Sequence, residues 1–240
     1  EINEDAFRIL ERYHLYFVAD GMGGHQAGDV ASKMAADTVG AFYDATQQDD
    51  ATWPFPMDPQ LSPEENRLCS SIKLANRKIY DLSQSNRLLQ GMGTTFVGLT
   101  LSPQKELCYV AHVGDSRAYR LRNGEIMQLT RDHSLVNDYL NIMPDMPMEA
   151  MEIVPRNVIT RALGMEESVL VDIRQELLQI GDRFVLCTDG LTGQVPDARV
   201  REILLDHGDD LNGAGQNLIN DANEAGGDDN VTVVLVYVDE

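Results

Sequence analysis

Leu15-Tyr16-Phe17-Val18-Ala19 is an unbroken apolar run that stops at Asp20, with Gly21, Gly23 and Gly24 close behind it. Such a run predicts a buried strand passing into a tight loop, with Asp20 at the strand's end. From Ala27 the apolar period changes. Val30, Met34, Thr38 and Phe42 form one stripe with Ala31, Ala35 and Val39 beside it, the pattern of an amphipathic helix. Pro54, Pro56 and Pro59 keep that helix from continuing through residues 46–61, because proline lacks an amide donor and clashes with the preceding turn. Ser62-Pro63-Glu64-Glu65 then supplies a cap, a proline at the first helical position and a glutamate able to reach back to the cap amide. The helix it starts carries Leu68, Ile72, Ala75, Ile79 and Leu82 on one face.

The middle of the chain turns to strands, at Thr95 to Leu101, Leu107 to Val113 and Ala118 to Leu121, with Asn123-Gly124 leading back through Ile126 to Leu129. Asn-Gly between two such runs predicts a hairpin, since both residues tolerate the positive φ of a type I′ turn. Further strands are expected at Arg183 to Thr188 and Val231 to Val238, and helices at Ala198 to His207 and Asn212 to Ala225. Blocks of strand alternate with blocks of helix, so a layered α+β fold is expected rather than a regular βαβ alternation.

Composition narrows the picture. The 240 residues, 43% of them hydrophobic, suffice for one core, and a single domain over 1–240 is expected. The longest apolar run, Val231 to Val238, falls far short of the ~20 residues that cross a bilayer, so no membrane span is expected. Glu1-Ile2-Asn3 shows no signal-peptide pattern, and Cys69, Cys108 and Cys187 are odd in number and lack a C-x-x-C pair. A reducing, cytoplasmic location fits both. A formal net charge of −20 would repel a phosphate backbone, which argues against nucleic acid as a partner.

Part of that acidity is placed with a purpose. Asn3-Glu4-Asp5, Asp20-Gly21, Gly114-Asp115-Ser116 and Thr188-Asp189-Gly190, with Gly227-Asp228-Asp229-Asn230 before the last strand, each set a carboxylate at the rim of an expected sheet. One Asp-Gly pair alone is most often a turn former. Several converging would repel one another and raise their pKa values unless cations neutralised them. Oxygen ligands without a thiolate or histidine cluster select hard ions such as Mg²⁺ or Mn²⁺, and two of these can activate a water against phosphorus.

Asn3-Glu4-Asp5-Ala6, Asp20-Gly21-Met22-Gly23-Gly24-His25, Gly91-Met92-Gly93-Thr94-Thr95, Val113-Gly114-Asp115-Ser116-Arg117, Thr188-Asp189-Gly190-Leu191 and Asp228-Asp229-Asn230-Val231-Thr232 resemble, in order, the motifs of the type 2C metal-dependent (PPM) serine/threonine protein phosphatases, bacterial branch. The resemblance implies an α-β-β-α sandwich of two antiparallel sheets flanked by helices. It implies hydrolysis of phosphoserine and phosphothreonine in proteins, with a bacterial serine/threonine kinase as functional counterpart. It makes Asp20 the carboxylate bridging two Mn²⁺ or Mg²⁺ ions, with the Gly21 carbonyl, Asp189 and Asp229 as further ligands. Asp5 acts through the metal shell, Glu4 holds a metal-bound water, and Asp115 with Asp189 takes a third, weaker ion. Within 134–165, the methionines Met143, Met146, Met148 and Met151 stand where the family has a flap beside the site.

Two departures matter. The family's phosphate-gripping arginine would fall just before Glu1, so the chain is expected to be a truncated form, and Met22 stands where eukaryotic relatives carry a histidine proposed as general acid. His25 is nearby but is expected to make a structural contact. Cys187 reads as a buried small side chain, His112 as a strand residue without a spaced metal partner, and His133 as a local hydrogen-bonding group. The alternatives are a catalytically silent phosphatase-like module that binds phosphoproteins or a kinase, which should have lost metal ligands, and a metallonuclease, which the acidic charge opposes.

Overall fold

In β2 (Leu15–Met22) the pleat sends Leu15 and Phe17 to one face and Tyr16 and Val18 to the other, and both faces are covered. The computed structural model describes residues 2–23, 27–47, 52–144, 153–155 and 158–239. β1 (Asp5–Leu10) lies antiparallel beside β2, followed by β4 (Phe96–Ser102), β5 (Leu107–Val113) and β8 (Asp172–Leu177), and the two-residue β3 (Gly93–Thr94) pairs with the far end of β2. A second antiparallel sheet runs β10 (Val233–Tyr237), β9 (Arg183–Cys187), β6 (Arg117–Arg122) and β7 (Glu125–Gln128). Val18, Val97, Leu99, Val110, Ala118, Phe184, Leu186 and Val234 fill the space between the sheets.

Helices cover the outer faces. α1 (Ala27–Ala45) and α2 (Pro63–Ser85) pack on the first sheet through Ala31, Ala35, Val39, Phe42, Leu68, Ile72 and Ile79. Val30 and Met34 are only partly buried, so the centre of the α1 stripe runs along the alanines and Val39 rather than along Val30 and Met34. After a shorter α3 (Leu135–Ile142) and the single turn α4 (Asp189–Thr192), helices α5 (Asp197–His207) and α6 (Leu211–Ala225) cover the second sheet through Val200, Ile203, Leu204, Ala214 and Leu218. This is the expected α-β-β-α sandwich of two antiparallel sheets.

Local chemistry accounts for the boundaries. Ser62 Oγ accepts from the Glu65 amide while the Glu65 carboxylate accepts from the Ser62 amide, a complete capping box with Pro63 at the first helical position. Asn123 and Gly124 both have positive φ, 53° and 80°, as the hairpin between β6 and β7 requires. One expectation about the acidic positions changes. Asp20 is not at the end of its strand, since β2 continues through Gly21 and Met22 to pair with β3. Asp5 stands at the rim of the sheet, where it opens β1. The expected flap lies partly outside the described residues, as do Gly24, His25, Met146, Met148 and Met151.

Candidate metal centre

Period-two alternation carries the row Tyr16, Val18 onward to Asp20, so Asp20 emerges at one end of the space between the sheets. Asp5 is its direct partner across the β1–β2 ladder, which puts the two carboxylates on the same face. In the second sheet the inward row Phe184, Leu186 continues to Thr188, whose hydroxyl donates to Asp5 Oδ2 at 3.0 Å. Asp189 follows at the start of α4 and Asp229 precedes β10, so the two sheets deliver their aspartates to one place. Asp20 and Asp189 lie side by side, and the closeness of the two carboxylates helps to raise Asp20 above the usual carboxylate range.

The backbone that carries these groups is tied from several sides. Thr95 N donates to Asp20 O at 2.8 Å, Thr94 Oγ1 to the same oxygen at 2.8 Å, and Asp20 N to Thr95 Oγ1 at 3.0 Å. The Gly-Thr-Thr run thus clamps Asp20. Glu4 N donates to Asn230 Oδ1 at 2.8 Å, and Glu4 O accepts from Gly21 N at 3.1 Å. A methyl group on Gly21 would meet Gly28 O at 2.1 Å and Glu4 O at 2.6 Å, and one on Gly190 would meet Asn230 O at 2.0 Å. At both places only hydrogen lets the backbones approach this closely.

The electrostatics are those of a crowded anionic site. Burial, reinforced by the charges of Asp5, Asp189 and Asp229, pushes Asp20 up to about 10 from 3.8. Burial also pushes Asp5 up to about 6, against hydrogen bonds from Thr232 and Thr188. Asp115, in the turn between β5 and β6, rises to about 7 through burial and the nearby charge of Asp189. Asp189 itself is raised, chiefly by burial. Asp5 Oδ1, Asp115 Oδ1 and Asp189 Oδ1 are buried without a hydrogen-bond partner. Buried acceptors left open in this way fit a site built for cations, and an all-oxygen donor set suits Mg²⁺ or Mn²⁺.

The protein phosphatase 2C family model matches residues 1–226. This chain belongs to that family. It is 39% identical over 238 residues to a serine/threonine phosphatase, stp, of Listeria innocua, covering 98% of this chain and 89% of that protein. The crystal structure of the Mycobacterium tuberculosis serine/threonine phosphatase PstP/Ppp superposes with a TM-score of 0.83 at 31% identity, covering 100% of this chain and 93% of the other. The catalytic domain of PstP in complex with two manganese ions superposes at 0.78, with 30% identity over 100% of this chain and 93% of that one. As a phosphatase 2C, the protein is a metal-dependent serine/threonine protein phosphatase using Mn²⁺ or Mg²⁺, and phosphorylated proteins are its substrates.

A second cluster in this phosphatase escaped the sequence reading. His112 does have a partner, since its ring stacks on that of His133 with centroids 4.6 Å apart, and Asp172 lies beside His133. The cluster is already occupied by protein groups: Arg161 bonds Asp172, and His112 Nε2 contacts Arg131 O at 2.8 Å. His133 has the local hydrogen-bonding role expected of it. Its amide donates to Gly114 O at 2.9 Å and its Nδ1 accepts from Gly114 N at 3.0 Å, which holds the turn that presents Asp115. Burial, His112 and Arg161 push its ring down to about 4, so it stays neutral.

The raised carboxylates make metal-free stability depend on pH with a definite sign. Groups that hold protons in the fold above 3.8 favour the folded state below that value, and the advantage is lost as pH rises through 6 and 7 toward 10. The melting temperature of the metal-stripped phosphatase should therefore fall between about pH 5 and about pH 8, and saturating Mn²⁺ should flatten or reverse the fall by competing with the protons. Calorimetric scans with and without metal test this. A metal-free melting temperature that holds steady or climbs over the interval would remove the carboxylate cluster as the cause.

Proposed function

We propose that Asp20, the Gly21 carbonyl, Asp189 and Asp229 hold two divalent ions, that Asp5 and Glu4 support them from the surrounding shell, and that Asp115 with Asp189 takes a third. The observation that carries this reading is the meeting of five aspartates, Asp5, Asp20, Asp115, Asp189 and Asp229, with buried, unpartnered oxygens on Asp5, Asp115 and Asp189. When bound, the ions supply Lewis acidity and activate water for attack on the phosphorus of a phosphoserine or phosphothreonine. The protein's own contribution is preorganisation. Thr94 and Thr95 fix Asp20, Thr188 orients Asp5, and His133 fixes the Asp115 turn, so no group must reorganise as charge builds on the transferring phosphoryl. The leaving serine or threonine oxygen needs a proton, and Met22, half-buried at the end of β2, carries none to give. Retention of the expected direct ligands separates this reading from a catalytically silent binding module.

The same reading extends to context. A serine/threonine kinase that places the phosphates is the expected functional counterpart, and a cytoplasmic location suits three buried, unpaired cysteines. Among the described residues no helix is long and apolar enough to cross a membrane. A flap within 134–165, as the resemblance implies, belongs to the single catalytic domain proposed for 1–240, and of that stretch α3 is among the described residues. With Mn²⁺ the protein should release phosphate from phosphoserine and phosphothreonine peptides, lose that activity to a chelator, and leave single- and double-stranded nucleic acid intact. Phosphate release that survives exhaustive chelation would contradict the metal assignment, and cleavage of nucleic acid would favour the nuclease alternative.

A further inference from the structure

An open groove, about 1070 Å³ in volume, joins the carboxylate centre to an apolar surface whose described lining carries one cation, Arg87. Glu4, Asp229 and Asn230 line it from the centre, Ala27 and Val30 from α1, and the short 3₁₀ turn Arg87–Leu89 from the loop that precedes the Gly-Thr-Thr clamp. Leu88 is 87% exposed, and Val30 and Ile2 are also in the lining. A lone exposed leucine is ordinary, but apolar residues gathered in a groove that opens on a catalytic centre mark a place for a ligand. Asn86 Oδ1 accepts from the Leu88 amide at 3.0 Å and pins the turn, so Arg87 and Leu88 are presented on a formed element. Arg87 is exposed, and among the described residues it has no salt-bridge partner.

We propose that this groove receives the substrate chain next to the phosphorylated residue, with Arg87 selecting an acidic side chain and Leu88, Ile2 and Val30 an apolar one. The inference rests on the phosphatase reading above and adds the class of protein segment taken. Continuity with the metal centre identifies the occupant, since a polypeptide whose phosphate lies at Asp229 must leave across these residues or across the opposite rim. Charge identifies its chemistry. A surface with net charge −20 repels acidic segments generally, and a cation in the groove lining offers them one favourable exit.

The test compares phosphoserine peptides that differ at one position, Glu, Gln or Leu, within about four residues of the phosphoserine on either side. Wild-type enzyme with Mn²⁺ should favour Glu over Gln by about threefold in kcat/KM, carried by KM, as suits an exposed ion pair, and about 0.5 M salt should erase the preference. Arg87→Glu should invert it. Leu88→Ala should remove a similar preference for Leu over Gln. An aryl phosphate, which has no flanking chain, reports the centre alone. If wild type hydrolyses neither peptides nor aryl phosphate, the phosphatase reading itself fails. If it hydrolyses them but Arg87→Glu leaves the peptide ranking unchanged, or lowers aryl phosphate and all peptides alike, the groove is not a substrate subsite and the inference is overturned.

Discussion

Asp189→Asn is expected to lower turnover of phosphoserine and phosphothreonine peptides by at least about a thousandfold, the several kcal/mol that a metal contributes to phosphoryl hydrolysis, while leaving the fold intact. Asp189 touches Asp20, raises Asp5 and Asp115 by its charge, and keeps a buried oxygen unpartnered. It is the group the proposed central pair and the proposed third site share, so losing its charge weakens both. Asparagine keeps the shape and removes the charge, and its amide offers Asp20 a donor. In the absence of metal the variant should therefore melt no lower than wild type, because one carboxylate has left a repelling cluster. Its gain in melting temperature on adding Mn²⁺ should shrink, since that gain measures binding to the folded state. Phosphate release, circular dichroism and thermal scans with and without metal decide the matter. Activity within twofold of wild type would take Asp189 out of the mechanism.

Asp115→Ala should separate substrates instead of abolishing function outright. Asp115 approaches from the β5–β6 turn, held by the two Gly114–His133 hydrogen bonds, and shares the buried environment of Asp189 without joining the β1–β2 pair. If its charge serves the leaving oxygen, the loss grows with the basicity of that oxygen. Peptide turnover should then fall by about 10²-fold or more, the scale of lost acid–base assistance, and an activated aryl phosphate should suffer less. Metal-dependent thermal stabilisation should persist, because the central ligands remain. Equal losses on both substrates, together with loss of that stabilisation, would assign Asp115 to the central pair or to the fold.

Legibility in the sequence followed how locally each feature is determined. The strand Leu107–Val113, the Asn123-Gly124 hairpin, the Ser62 capping box and the limits of α5 and α6 all depend on residues within a few positions of one another, and each was readable. β1 and β8 were not. They are the two edges of the larger sheet, and Asp172-Ile173-Arg174-Gln175-Glu176-Leu177 carries the polar composition that an exposed edge tolerates, so no apolar run marks it. The site shows the same division. Acidic motifs beside glycines were visible one by one, and the family resemblance supplied their order. That Asp5 faces Asp20 across a ladder, and that His112 stacks on His133, are facts of register and tertiary packing that no local pattern encodes. Placing Asp20 at a strand's end was a misreading with a clear reason. Gly21, Gly23 and Gly24 carry the composition of a loop, yet β3 pairs with Gly21 and Met22.

With the proposed ligand set, the sandwich ties metal affinity to the cohesion of the whole molecule. Asp5 and Asp20 belong to the first sheet, Asp189 and Asp229 flank strands of the second, and the hydrophobic layer between them holds both sheets at one spacing. Ions bound by the proposed set act as a clasp across the open end of that layer. By reciprocity, whatever loosens the clasp loosens the layer, and whatever disturbs the layer weakens the clasp. A cavity cut at Val97 or Leu186, in contact with no ligand, would then show itself in the metal concentration the enzyme needs as well as in its melting temperature, and scarce metal would expose variants that abundant metal conceals.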